Sequence, residues 1–269
     1  MPRAMVRIEF LGTGNAFLPQ GRLHSLVLID SHILVDAPLT VLSSLRRINI
    51  SPSKIDTLFF THLHADQTFG FPSFVIERKY ISDRGGENML HVYHTESAKK
   101  HLCDLCELAY PNSLTDRLEN NTEWHDNNSG FISANNEWEF ERFEVLHDPA
   151  SDPHGYLFSN KSAGLKLMHT GDSGPCVEIE SRVPHCDVVI IEMGVPSNVD
   201  TPHHYNPDTL KKLAEENTEV TFLITHHYID DPSTNNTPVI SNSLPEMPSN
   251  VFQPCDGDVF IWKNGALFE

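Results

Sequence analysis

Thr61-His62-Leu63-His64-Ala65-Asp66-Gln67 limits what this chain can fold into more than any other stretch, because of what flanks it. Ile55 to Phe60 is a short apolar run rich in β-formers and reads as a buried strand. From Thr68 to Arg78, apolar residues recur at roughly helical spacing. Metal-ligand side chains therefore sit where a strand gives way to a helix. Alternate residues of an extended segment point the same way, so His62 and His64 can approach one ion together, and Asp66 follows at the same step. Neutral imidazole suits Zn²⁺ or Fe, and a carboxylate adds charge and hardness. The competing reading is a polar loop with incidental histidines, in a chain that has 16 of them. A bare His-x-His leaves that reading open; strand, His-x-His-x-Asp and helix in succession are far more specific.

The 269 residues suffice for a substantial core, and we expect one domain spanning 1–269. No apolar run approaches membrane-spanning length, and the start, Met1 to Arg7, lacks the apolar centre of a signal peptide. Five cysteines without framework spacing point to reduced thiols, hence a cytoplasmic protein. Cys103-x-x-Cys106 has no partner pair, so both are expected on a helix face. The formal net charge of −18 serves solubility and repels long nucleic acid.

Along the chain, strands are expected at Val6–Leu11, Ser25–Ile29 and His32–Val35, with a turn at Gly12-Thr13-Gly14-Asn15 rather than a phosphate loop. Asp36 either hydrogen-bonds the metal loop or caps the helix Leu39–Ile48. A strand at Met89–Tyr93 and a helix at Glu96–Ala109 precede a polar, Asn-rich surface excursion over Pro111–Asn136. Trp138–Leu146 is a strand that delivers His147, and His154 is expected at an exposed loop tip. Further strands are Leu165–Thr170, Asp187–Glu192, Val220–Thr225 and Val259–Trp262, with a helix at Asp208–Glu216 and a long surface loop over Asp230–Pro248. Every candidate ligand lies at a strand end, which fits an α/β chain folded as an αββα sandwich with its site along one edge.

The Thr-His-x-His-x-Asp segment resembles that of the metallo-β-lactamase superfamily, with Gln67 where that pattern has a further histidine. The resemblance implies a metal-dependent hydrolase with His62, His64 and His147 on one ion. It makes Asp172, in Thr170-Gly171-Asp172, the bridge to a second ion held by Asp66 and His226. His226 rather than His227 follows the strand and threonine of the pattern. The ions would polarise a phosphoryl or carbonyl oxygen and lower the pKa of a water to about 7. Zn²⁺ is expected, one ion tight and a second weaker because of Gln67, with Mn²⁺ or Fe as alternatives. His24 or His227 could take the place of the missing histidine.

Within that superfamily, Leu11-Gly12-Thr13-Gly14, the segment from His147 to Gly155-Tyr156, and Glu192 followed by His204 are similar to the ribonuclease Z branch and its phosphodiesterase relatives. The last pair implies a proton donor for a leaving alkoxide, with Asp66 as the further catalytic residue. The alternative is a solvated strand end and a helix cap, and His203 competes with His204 for the role. That branch's basic arm does not fit between His147 and Asp172, and its basic-Arg-Asn segment is replaced by Gly21-Arg22-Leu23-His24-Ser25. The resemblance thus points to a small-molecule or short phosphodiester substrate, with no membrane and no long nucleic acid as partner. It leaves room for a homodimer. A lactone or thioester hydrolase, or a non-catalytic binding protein with a degraded second metal site, are the alternatives.

Overall fold

The computed structural model describes residues 4–134, 136–234 and 243–269. Residues 1–3, and 235–242 of the expected long loop, lie outside these. Strands β1 (Val6–Gly12), β2 (Leu26–Ile29) and β3 (Ile33–Val35) run antiparallel. Asp30 and Ser31 join the last two with φ of 49° and 61°, the backbone of a tight hairpin turn. The sheet continues in parallel through β4 (Thr57–Phe59), β5 (Leu90–Tyr93) and β6 (Thr122–His125). A second sheet starts antiparallel with β7 (Ser129–Phe131), β8 (Trp138–Glu144), β9 (His154–Asn160) and β10 (Leu165–His169). It ends in parallel with β11 (Val188–Glu192), β12 (Thr221–Thr225) and β13 (Val251–Phe252). The closing hairpin, β14 (Val259–Lys263) and β15 (Ala266–Phe268), returns to β1, so the first sheet reads β15-β14-β1-β2-β3-β4-β5-β6.

Helices α1 (Val41–Arg47), α2 (Ala65–Thr68), α3 (Phe71–Glu77), α4 (Glu96–Ala109) and α5 (Thr115–Asn120) belong to the first half; α6 (Val177–Glu180) and α7 (Pro207–Glu216) belong to the second. The side-chain period of a strand divides the core into layers. Val188 and Ile190 of β11 enter the cluster between the sheets, whereas Val189 and Ile191 enter the one beneath α7 with Leu210 and Ala214. In β4, Phe59 points between the sheets and Leu58 packs outward with Val41, Phe74 and Leu102. The result is an αββα sandwich. None of the helices among the described residues is long and apolar enough to cross a membrane.

Phe59 fixes the strand that carries the His-x-His segment. Its ring stacks on Tyr93 at 4.4 Å and meets Tyr156 and Phe158 edge-on at 4.9 Å each. Burying such a ring stabilises the fold by about 1.5–3 kcal/mol. The Tyr156 hydroxyl donates to the Phe60 carbonyl at 2.7 Å, so the end of β4 is tied to the opposite sheet.

Three expectations are revised. The single helix after Gln67 is two, α2 and α3, separated at Phe69-Gly70 and followed by a wide turn over Arg78–Ser82. The Asn-rich stretch after Pro111 contains α5, β6 and β7; edge strands need little apolar alternation because one side lacks a neighbour. His154 opens β9 with only 13% of its side chain exposed, and so is no loop tip. Cys106 is buried and Cys103 partly so, both on α4 and both free.

Candidate metal centre

The carboxyl ends of β4, β10, β11 and β12 meet at one edge of the sandwich, where the crevice of an open α/β sheet takes its ligands. Asp36 decides the shape of the first loop. Its carboxylate accepts the Thr61 backbone N–H and the Thr61 hydroxyl, both at 2.8 Å, while Thr40 occupies the N-cap of α1. Of its two expected roles, the structure gives it the tie to the loop. Gly171 needs its φ of 62°, and a Cβ there would lie 2.9 Å from Thr61. The backbone of the second loop therefore packs directly against the Thr61 side chain of the first.

His62 Nε2 and His147 Nε2 each lie 3.2 Å from His64 Nδ1. The far nitrogens fix which atoms face inward. His147 Nδ1–H donates to the His203 carbonyl at 3.1 Å. The Thr61 hydroxyl donates to Asp36 and so accepts from His62 Nδ1–H at 3.1 Å. His64 Nε2 faces the Asp148 carboxylate at 3.5 Å. Three lone pairs converge with no proton between them, and each ring is held from behind, as metal-ligating histidines are. Burial pushes His147 down to about 4 and His62 well below the ordinary histidine value, so neither imidazole competes for a proton. Ligands of a tetrahedral ion bonded at about 2.0–2.1 Å stand roughly 3.3 Å apart, and this set fits.

Asp172 Oδ2 lies 3.6 Å from His62 Nε2 and 3.0 Å from His226 Nε2, between the first cluster and the second. His226 Nε2 is also 3.3 Å from Asp66 Oδ2. Asp172, His204 and His226 bring donor atoms within 4.8 Å of one another, so His204 also stands at ligand distance. Burial raises Asp172 to about 7. Burial would lower His226, but the charges of Asp172 and its neighbours outweigh it and lift it to about 9. Burial would raise Asp66, but the His226 hydrogen bond and charge hold it below the usual carboxylate range. The second cluster suits a cation as the first suits a neutral-ligand ion. His226 itself sits at φ 51°, a left-handed backbone uncommon for a residue with a Cβ.

Glu192 is fully buried and accepts three bonds: from Ser173 N at 3.0 Å, Gly194 N at 2.5 Å and His204 Nδ1 at 2.7 Å. Burial would lower His204, but the Glu192 hydrogen bond and charge hold it above the ordinary value. His203, by contrast, offers its carbonyl to His147.

Gln67 is buried beside Asp66, and its amide nitrogen donates to Asp66 Oδ2 at 3.2 Å. With that donor turned to the carboxylate, Gln67 positions Asp66 and its oxygen faces elsewhere without a partner. His24 is buried near enough to feel the charges of Asp66 and His226. His227 is buried in the field of Arg22, its backbone paired with Thr13 and Asn15. Among the described residues neither joins a cluster of metal donors. Sequence motifs leave unmarked Asn15, whose side chain donates to the Gly194 carbonyl at 3.1 Å, Asp148 and Gly194. Gly194 follows Glu192 by two positions, the only signal it leaves.

The family model described as Anti-Pycsar protein Apyc1 matches residues 6–242. Ribonuclease Z of Pyrobaculum islandicum is 20% identical over 297 aligned residues, 96% of this chain and 99% of the relative. Two solved structures share the architecture. The metallo-β-lactamase fold protein YhfI of Bacillus subtilis has a TM-score of 0.68 at 16% identity, covering 96% of this chain and 99% of its own. The short form of human tRNase Z has a TM-score of 0.69 at 18% identity, covering 94% and 98%. The fold is the metallo-β-lactamase fold.

Proposed function

This chain belongs to the Anti-Pycsar protein Apyc1 family, and from that premise and its site we propose that it is a metal-dependent phosphodiesterase acting on a small substrate. It is a metal-dependent hydrolase of the metallo-β-lactamase fold. The observation that carries the finer reading is the 2.7 Å Glu192–His204 contact beside the converging imidazoles. Phosphodiester hydrolysis must expel an alkoxide, and a held imidazolium supplies its proton. In this proposal His62, His64 and His147 would hold one ion, and Asp66, Asp172 and His226 would hold a second. Divalent cations there, Zn²⁺ first among them, supply an electrophile for the phosphoryl oxygen and an activated water. Asp66, kept ionised by His226 and oriented by Gln67, aligns the attacking water. Glu192 fixes His204 Nδ1, leaving Nε2 to donate. The short turn between β9 and β10, from Asn160 to Leu165, carries no arm for a long RNA, and the charge of −18 disfavours one.

His204→Ala tests the proton donor. General acid catalysis contributes about 10²–10⁴-fold, so alkyl phosphodiesters should slow by that order, and a bis-nitrophenyl phosphodiester by far less. Because folding raises the His204 value, the native enzyme stays competent toward alkyl esters above the ordinary histidine pKa. Its rate on them falls as pH climbs through the raised value, and nitrophenolate release lacks that fall. Equal losses for both substrates, or hydrolysis of lactones and thioesters in preference to phosphodiesters, would overturn the proposal.

Gln67→His tests the second ion. A histidine there adds a nitrogen ligand where an amide now only braces Asp66. Zinc titrated into apo-protein carrying Glu123→Gln should show a tight and a weak site at this centre, the weak one tightening when Gln67→His is added. Two equally tight sites there, unchanged by Gln67→His, would refute it.

A further inference from the structure

We propose that His91, Glu123 and His125 form a separate divalent transition-metal site on the edge of the first sheet. It lies outside the hydrolytic residues, and nothing in the His-x-His-x-Asp motif requires it. The parallel register sets His91 directly opposite Glu123 and Tyr93 opposite His125. With a side-chain period of two, His91, Glu123 and His125 share the face on which Tyr93 enters the inter-sheet core. Leu90, Val92 and Trp124 point the other way, into the outer layer.

One donor atom from each side chain lies within 4.8 Å of the other two, and the two Glu123 oxygens face different rings. His91 Nδ1 lies 3.1 Å from His125 Nε2 and 3.4 Å from Glu123 Oε2, and His125 Nε2 lies 3.8 Å from Glu123 Oε1. These edges bracket the spacing of roughly 3.3 Å expected around a tetrahedral ion and parallel the 3.2 Å edges of the His62–His64–His147 cluster.

The rings are also held in place. His125 stacks on Tyr93 at 4.4 Å and 12°, Tyr93 stacks on Phe59, and His91 lies against His125 at 5.3 Å. Donors fixed before binding lose little freedom on binding. Both histidine side chains are 13% exposed and Glu123 is 56% exposed, so an ion enters from solvent and keeps a position open to water. Asp56 near His91, and Asp126 near His125, add negative charge beside the trio, while burial, the largest influence, lowers the His125 value.

Two imidazoles and a carboxylate select Zn²⁺ or its first-row neighbours over Mg²⁺ or Ca²⁺, which prefer all-oxygen shells. An ion there would staple the edge strand β6 to β5, the end of the sheet with least lateral support.

Metal per chain, measured by mass spectrometry on zinc-loaded protein after gel filtration, decides the matter. Glu123→Gln should carry one equivalent fewer than the native chain, with unchanged phosphodiester hydrolysis. In a His64→Ala/His226→Ala background, zinc should still bind at one equivalent and raise the melting temperature. His125→Gln or Glu123→Gln in that background should abolish both effects. A native zinc content unaltered by Glu123→Gln would show a hydrogen-bonded trio only and overturn the site. Loss of hydrolysis in Glu123→Gln would overturn its separateness. The exposed Glu123 keeps the test decisive even where His125→Gln fails to fold.

Discussion

His64→Ala is expected to remove the tightly held ion and to lower kcat/KM by at least about 10³, the scale of the several kcal/mol a Lewis-acid centre supplies. His64 is the vertex of the first cluster, since both other imidazoles face its Nδ1 at 3.2 Å. Without it His62 and His147 remain as two ligands, too few to retain zinc against dilution. The substitution is also the least ambiguous in the site. His62 has 1% of its side chain exposed and its removal would leave a buried hole, whereas His64 is 38% exposed and borders solvent. Circular dichroism should match the native protein while the ion of this cluster is lost and the rate collapses. Full activity in a metal-free preparation of the variant would end the metallohydrolase reading.

Gly194→Ala is expected to cost about 10²-fold or more in kcat toward substrates with poor leaving groups, the penalty of an ångström-scale misplacement. The backbone of Gly194 needs no left-handed φ, so the objection is purely one of space. A Cβ there would stand 2.5 Å from Glu192 Oε2, 2.9 Å from His204 Nδ1 and 3.2 Å from His226 Nδ1. Something must shift. Glu192 is held by three donors and His226 by its paired neighbours, so the half-buried His204 yields first. Overpacking of this kind also destabilises by about 1–3 kcal/mol. The ion on His62, His64 and His147 should remain, because none of those rings is touched. Metal content and turnover measured on one preparation would separate this outcome from general unfolding. Near-native turnover on alkyl phosphodiesters would mean that the Glu192–His204 geometry does not limit the reaction.

What the sequence disclosed follows the range over which each residue acts. The β4 strand and its His-x-His-x-Asp segment are legible because periodicity and ligand spacing are local. His147, Asp172 and His226 each look ordinary alone; only their order along the chain, matched to a family pattern, singled them out. Asp36 could be narrowed to two roles, and its choice depended on where Thr61 comes to rest. Asn15 and Asp148 were illegible because Gly194 and His64, their partners, lie across the sandwich, and Gly194 because the His204 and His226 rings that crowd it come later in the chain. His91 escaped notice for the same reason: Glu123 and His125 come more than thirty residues later, on a strand whose composition hid it. Gln67 was visible as a departure, but its use as a brace for Asp66 required the geometry.

The donors of the main centre come from both walls of the sandwich. His62, His64 and Asp66 follow β4 of the first sheet; His147, Asp172 and His226 follow strands of the second. In the proposed arrangement, metal uptake would therefore be a rivet between two halves of the polypeptide, closed only after the sheets have docked. A chelator should loosen the seam as well as stop turnover, since the native state gains RT ln(1 + [L]/Kd) only when the halves are together. Protease nicks near the crevice should then appear first in the stripped protein, and zinc added back before the protease should suppress them. A lesion that parts the sheets anywhere along their length would be felt as weakened metal affinity, far from any ligand.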